Sequence, residues 1–247
     1  MKTLKEQFII YAVEEVVRRV GRENIRIMDL GCGTAGYVPQ LLEKFPEIAY
    51  VGVEPIAASF QAAEQNVKGI NNVTLHFQLG YDSVPDEAEA SCDLVFSLSA
   101  LEHIKHLDRF IALAAKYVKQ GGVMMHRYDL GHALTPHSLK EWVHVWLGNH
   151  VPQLLPERQF VRYVGVPEVQ QLYEKNGVTP TNVTYHQMPN HKHLEKFFRG
   201  QETTVIDELF AWEVAHQAAF QTLPEPVREK LFPAIAVWGE TREKEGG

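Results

Sequence analysis

Asp29-Leu30-Gly31-Cys32-Gly33-Thr34-Ala35-Gly36 decides the fold. It follows Ile25–Leu30 (Ile-Arg-Ile-Met-Asp-Leu), a short apolar run that reads as a buried strand. It opens the stretch Ala35–Phe45, which reads as a helix that Pro46 helps to end. Glycines at such a junction let the backbone take positive φ and pass close to a ligand. The helix behind them presents free N–H groups. Glu54 closes the next apolar run, 23 residues after Gly31. An acid at that strand tip accepts hydrogen bonds from ribose hydroxyls. Strand, glycine turn, helix and acid together point to a nucleoside-bearing ligand.

The same order continues along the chain. Residues 4–20 have helical apolar spacing. Ile48–Val53 reads as a strand and Ile56–Val67 as a helix closed near Gly69. Val73–Phe77 and Asp93–Leu98 read as strands, and Leu107–Val118 as a helix ended by Gly121 and Gly122. Val123–Tyr128 reads as the fifth strand. Strands alternating with helices predict an α/β, doubly wound sheet with helices on both faces. Ligands of such sheets bind outside the carboxyl ends of the strands, where strand order reverses.

Composition removes several function classes. Lys plus Arg is 24 against 31 Asp plus Glu, a net charge of −7, which disfavours a protein built to hold a nucleic-acid backbone. The two cysteines, Cys32 and Cys92, allow at most one bridge, so a reduced, cytoplasmic setting is expected. Charges interrupt residues 1–19, unlike a signal peptide. No apolar run approaches the ~18 residues of a membrane span. The Tyr-x-x-x-Lys spacing of a short-chain dehydrogenase is absent, and so is any Gly-Lys pair of a phosphate loop.

The segments Ile27-Met28-Asp29-Leu30-Gly31-Cys32-Gly33-Thr34, Val51-Gly52-Val53-Glu54-Pro55, Cys92-Asp93-Leu94-Val95-Phe96-Ser97, Leu101-Glu102-His103-Ile104 and Gly121-Gly122 carry a resemblance. Residues 27–130 resemble a class I, Rossmann-like S-adenosylmethionine-dependent methyltransferase of the small-molecule type. The resemblance implies a seven-stranded sheet whose strands six and seven form a terminal antiparallel hairpin. It implies S-adenosylmethionine as cofactor, with Gly31, Cys32, Gly33 and Gly36 lining the loop beneath it. Asp29 would hold the amino end, and Glu54, followed by Pro55, the ribose. Gly80 and Tyr81 would border the adenine, and Ser97 and Leu98 would close the cofactor site at the tip of strand four. The family's Gly-Asp-Ala before a Pro is replaced by Leu79-Gly80-Tyr81 before Pro85, which leaves Asp82 or backbone N–H groups for the adenine.

The methyl acceptor is expected near strands four and five. Asn-Pro-Pro-Tyr is replaced by Ser97-Leu98-Ser99-Ala100, unlike enzymes that methylate amino nitrogens of adenine or glutamine. No Pro-Cys nucleophile occurs, and Ser97 and Ser99 stand where magnesium-dependent catechol-type enzymes place an acid. His132, oriented by Asp129, is one candidate base, because histidine exchanges protons near neutrality. His103, in the Leu-Glu-His segment, is the other catalytic candidate.

Residues 131–165 interrupt the alternation. They contain a helix near Leu139–Leu147 with an aromatic face and read as a helical lid insertion. Arg162 and Tyr163 precede a helix at Pro167–Asn176 and are candidates to face substrate. Val178–His186 reads as strand six, 202–222 as helical and ended by Pro224 and Pro226, and Ala234–Thr241 as strand seven. Asn190-His191-Lys192-His193 lacks metal-ligand spacing, and no metal site is expected. The expectation is one domain over 1–247, with cap segments at 131–165 and 187–222. It would O-methylate a sugar, a nucleotide-linked sugar or a secondary metabolite. Alternatives are an N-methyltransferase, a protein or modified-tRNA methyltransferase, and a nonenzymatic cofactor-binding protein. A small-molecule acceptor is the expected partner, with no nucleic acid and no membrane; a homodimer stays open.

Overall fold

The computed structural model describes residues 3–78, 80–136, 138–155, 160–187 and 202–241. The first helix, α1 (Leu4–Val20), begins where Thr3 and Glu6 cap each other. The Thr3 hydroxyl accepts from the Glu6 N–H at 3.2 Å, and the Glu6 carboxylate accepts from the Thr3 N–H at 2.6 Å. Gly21, at φ +71°, ends the helix in the left-handed region.

Seven strands form one sheet: β1 (Arg26–Leu30), β2 (Ala49–Glu54), β3 (Val73–Phe77), β4 (Cys92–Leu98), β5 (Val118–Asp129), β6 (Val178–His186) and β7 (Ala234–Thr241). Their order is β3-β2-β1-β4-β5-β7-β6. The first five are parallel, and β7 runs antiparallel between β5 and β6. Helices α2 (Val38–Lys44), α3 (Ala57–Asn66), α4 (Leu107–Tyr117), α5 (Gly131–Leu134), α6 (Leu139–His150) and α7 (Val166–Lys175) connect the strands up to β6. Helices α8 (Glu202–Ala215), α9 (Gln217–Gln221) and α10 (Glu225–Leu231) precede β7.

Strand alternation builds two cores. Met28, Leu30, Val95, Met124 and Tyr128 pack on one face with Ile111 of α4 and Tyr173 of α7. Ile27, Leu94, Phe96 and Met125 pack on the other with Phe8 and Ala12 of α1, Leu41 of α2 and Phe210 of α8. The chain runs outward from β1 in both directions, so the tips of β1 and β4 frame a crevice. A Cβ at Gly31 would lie 3.7 Å from Ala100 Cβ, so the loops after β1 and β4 meet at its base.

The element boundaries depart from the sequence reading in four places. The helix expected from Ala35 starts at Val38, because Ala35 sits at φ +49° and Pro39 occupies the first turn. Gly121 and Gly122 do not precede β5 but lie inside it. Pairing jumps from Cys92–Val118 to Leu94–Val123, and the glycines absorb the irregularity. The helical stretch 202–222 is two helices, broken at His216. Pro224 and Pro226 do more than end it, for they start α10. Asn190-His191-Lys192-His193 lies outside the described residues. Among the described residues no helix is long and apolar enough to cross a membrane.

Gly52 couples this framework to the crevice. A Cβ there would stand 2.8 Å from Leu75 Cδ2 and 3.0 Å from both Cys32 Sγ and Tyr50 Cε1. Gly52→Ala is therefore expected to destabilise the fold by about 1–3 kcal/mol, the usual cost of overpacking. Urea unfolding should show a lower midpoint at an unchanged slope. An unchanged midpoint would mean that the three neighbours give way without cost.

Candidate cofactor and active site

The glycine loop is fastened to the tip of β2. Gly31, at φ +86°, and Cys32 both donate their N–H to Val53 O, at 2.8 and 3.1 Å. Gly33, at φ +59°, donates to Glu54 Oε2 at 2.8 Å, and Ile56 N–H donates to Oε1 at 2.9 Å. Asn66 of α3 donates to Thr34 O at 2.8 Å. Side chains at Gly31 or Gly33 would be strained by their positive φ. Gly36 has no such demand. The Cys32 thiol is buried, and burial pushes its pKa up, so it is inert packing.

Two acids face this loop. Glu54 is 4% exposed and uses one lone pair of each oxygen on backbone, leaving one on each for further donors. Asp29 is 1% exposed. Its Oδ2 accepts from Tyr37 and, at 3.1 Å, from Tyr50. Its Oδ1 is buried with no hydrogen-bond partner among the described residues. Burial raises the Asp29 pKa from 3.8 to about 6, against the two tyrosine bonds and the Lys5 ammonium.

The remaining cofactor candidates surround this core. Pro55 is exposed on the rim beside Glu54. Gly80, at φ +96°, leads into Tyr81, whose ring lies 5.9 Å from His106 and 6.5 Å from Phe110. Gln78 donates to Asp82 O at 2.6 Å, closing this turn; Leu79 lies outside the described residues. Ser97 is fully buried, and its hydroxyl meets His126 Nδ1 at 2.8 Å on the α4 and α7 face. Leu98 brings its carbonyl, which accepts from Lys5 Nζ at 3.2 Å.

The catalytic candidates stand after β4 and β5. Leu101–His103 is a 3-10 turn, and His103 Nδ1 lies 3.1 Å from Phe160 O. A carbonyl only accepts, so Nδ1 is the donating nitrogen in that bond. Buried Glu102 ties the turn to β5 and to the segment before α7. Its Oε1 accepts from Asp129 N–H at 3.2 Å, and its carbonyl accepts from Arg162 N–H at 3.0 Å. Asp129 Oδ1 accepts from Gly131 N–H at 2.7 Å, an Asx-type turn that leads into α5. His132 lies on that turn; its side chain is outside the described residues. Arg162 grips Glu168 through two bonds, at 2.8 and 3.2 Å, and Tyr163 donates to Glu229 at 2.8 Å.

Sequence reasoning did not single out Tyr37, Tyr50 or Lys5. Period-two alternation puts Tyr50 on the inner face with Gly52, but nothing local couples it to Asp29. The arrangement fits the expected cofactor. One buried carboxylate oxygen lacks a donor, a backbone loop lies open above it, and a nearby acid keeps acceptor capacity. Among the described residues no cluster of His, Cys, Asp and Glu suits a metal.

Comparison with known proteins agrees with this geometry. Residues 5–183 match the family described as "Methyltransferase domain". The chain is 29% identical over 118 residues to trans-aconitate 2-methyltransferase of Deinococcus radiodurans, covering 48% of this chain and 43% of that protein. It is thus aligned with less than half of that relative. It is 26% identical over 194 residues to the ubiquinone biosynthesis O-methyltransferase of Maricaulis maris, covering 74% and 69%. Phosphoethanolamine N-methyltransferase 2 of Haemonchus contortus, solved with S-adenosyl-L-methionine, superposes with a TM-score of 0.61 at 19% identity, over 94% of this chain and 53% of that one.

The raised pKa of Asp29 has a measurable consequence. Its folded value lies above its unfolded one, so stability falls as pH rises from the ordinary carboxylate range through about 6. Without ligand, wild type should lose up to about 3 kcal/mol relative to Asp29→Asn between about pH 4 and 7. Parallel unfolding profiles for the two proteins would show that burial does not penalise the Asp29 charge.

Proposed function

The chain belongs to the methyltransferase-domain family of S-adenosylmethionine-dependent enzymes, and on that premise we propose that it methylates an oxygen of a small molecule. The observation that carries this reading is the crevice itself: Asp29 with one unpartnered buried oxygen, beneath a glycine loop that Glu54 holds. When bound, S-adenosylmethionine supplies a methyl group on a positively charged sulfur, and this cofactor carries the chemical drive. The residues' task is to bind, align and remove a proton. Asp29 receives the amino end, and Glu54 takes ribose hydroxyls on its remaining lone pairs. Gly31, Cys32 and Gly33 line the loop; Gly36, Pro55, Gly80, Tyr81 and Leu98 complete the surround, while Ser97, expected there, is fully buried with its hydroxyl on His126 in the core.

We assign the proton to His103 rather than His132. The Phe160 carbonyl fixes the ring so that Nε2 is the accepting nitrogen. Its place after β4 brings it beside the crevice. Asp129 accepts from the Gly131 N–H and donates its own N–H to Glu102, so the two acids support the turns after β4 and β5. The acceptor class is a sugar, a nucleotide-linked sugar or a secondary metabolite. The name of the Maricaulis relative supports oxygen as the target, and the net charge of −7 supports a small acceptor over nucleic acid. The chain then works as one domain, with the described parts of 131–165 and of 187–222 as caps over the mouth. Two buried free cysteines are compatible with a reducing cytoplasm.

Calorimetry should show S-adenosylmethionine binding and no response to NAD. Glu54→Ala should weaken that binding by ~1.5–3 kcal/mol, as for hydrogen bonds to a charged group. Binding of NAD alone would overturn the reading, and an unchanged affinity in Glu54→Ala would take Glu54 out of the ribose site. For the base, His103→Ala should lower turnover by ~10²–10⁴-fold with cofactor affinity kept. Turnover retained within ~3-fold would leave alignment as the source of rate and would remove His103 from proton transfer.

A further inference from the structure

Leu98 ends β4 with a carbonyl that the sheet does not use. Ser99 N–H donates to Arg127 O of β5 at 2.6 Å. In a trans peptide the carbonyl of the preceding residue points the opposite way, so Leu98 O faces the β1 side. The β1–β4 ladder has already stopped at the Asp29–Phe96 pair. Leu98 O therefore opens onto the crevice where strand order reverses. What meets it there is Lys5 Nζ, at 3.2 Å, delivered from α1.

The delivery is built into α1. The Thr3–Glu6 cap fixes its first turn, and Leu4 and Phe8 are buried on either side of Lys5. Phe8 packs on His186, Phe210 and Trp238, and Gln7 donates to Asp207 of α8 at 2.6 Å. Lys5 as a residue stays exposed, while its ammonium end reaches the strand tip. Burial of that end lowers the ammonium's pKa, as does the field of Arg127, while Asp29, Glu102 and Glu6 favour its charge. An ammonium has three donors, and Leu98 O takes one. Among the described residues no carboxylate comes within ion-pair distance of Nζ.

The crevice thus holds a cation with donors to spare and, on Asp29, a buried anionic oxygen without a donor. An α-amino acid end carries the complementary pair, a carboxylate and an ammonium on one carbon. We propose that Lys5 is the carboxylate anchor of this site, holding the α-carboxylate of the cofactor's amino-acid end while Asp29 receives its ammonium. The proposal rests on the S-adenosylmethionine reading above. Arg127, the other cation nearby, is 1% exposed, bonds Gln187 and lies over the Phe8 ring at 5.4 Å, so it is committed to the interior.

The test compares two ligands on the full chain by calorimetry: S-adenosylmethionine and its decarboxylated form, which lacks only the group in question. Lys5→Met should lower affinity for S-adenosylmethionine by about tenfold to a hundredfold, the size of a lost charge-assisted hydrogen bond. Affinity for the decarboxylated ligand should stay within about threefold, which also proves the variant folded. Lys5→Arg should restore most of the loss. Equal losses for both ligands would reduce Lys5 to a support of α1 and overturn the proposal. Tighter binding in Lys5→Met would make Lys5 a plug over Leu98 O and overturn it too, as would unchanged binding. Failure of the wild-type chain to bind S-adenosylmethionine would overturn the cofactor reading itself.

Discussion

The buried Glu54 carboxylate, accepting the N–H of Gly33 at 2.8 Å and of Ile56 at 2.9 Å, is the constraint on which the site depends. Hydrogen bonds to a charged acceptor are roughly twice as strong as neutral ones. Together with the two N–H groups on Val53 O, they staple the glycine loop to β2 before any ligand arrives. The loop then has a fixed edge against Ala100 after β4. A loop held in this way presents its backbone at little ordering cost on binding.

Charge inside the crevice is arranged in opposition. Asp29, Glu102 and Asp129 stand on one side of the account, Lys5 and Arg127 on the other. Buried charges are tolerated when paired or hydrogen-bonded. Glu102 and Asp129 each accept a backbone N–H, and Arg127 bonds Gln187 and lies over the Phe8 ring. Asp29 is hydrogen-bonded on one oxygen only. The unmet half is a local destabilisation that a donor placed there would remove.

What was legible in the sequence was local. The apolar run into Gly31 and the acid at the next strand tip are encoded within about thirty residues, and the fold places them as read. The strand Val178–His186 was legible for the same reason, with Pro180 tolerated by a bulge on the sheet's edge. What was hidden depends on tertiary approach. Lys5 reaches Leu98 from 93 residues away, and no spacing rule covers that. Ala35 takes a left-handed φ that its type does not advertise, and this shifted the start of α2. Gly121 and Gly122 read as punctuation, yet they lie inside β5 because the register shift needs them there. Tyr37 and Tyr50 look like ordinary aromatic packing until both hydroxyls converge on one carboxylate oxygen.

The histidines show why motif reading stops short of chemistry. His126 and His103 both stand near the tips of the central strands. His126 is fully buried between Phe110 and Tyr173, bonded to Ser97, and burial lowers its pKa to about 3. It stays neutral across the physiological range and serves as packing with one polar link. His103 sits exposed on a 3-10 turn, with Nδ1 committed to a carbonyl. The two are the same residue type, one fully buried and the other exposed. Solvent access and the partner of one ring nitrogen set the second apart from the first. In this fold the chemistry of a side chain is therefore set by the depth at which its strand or turn ends.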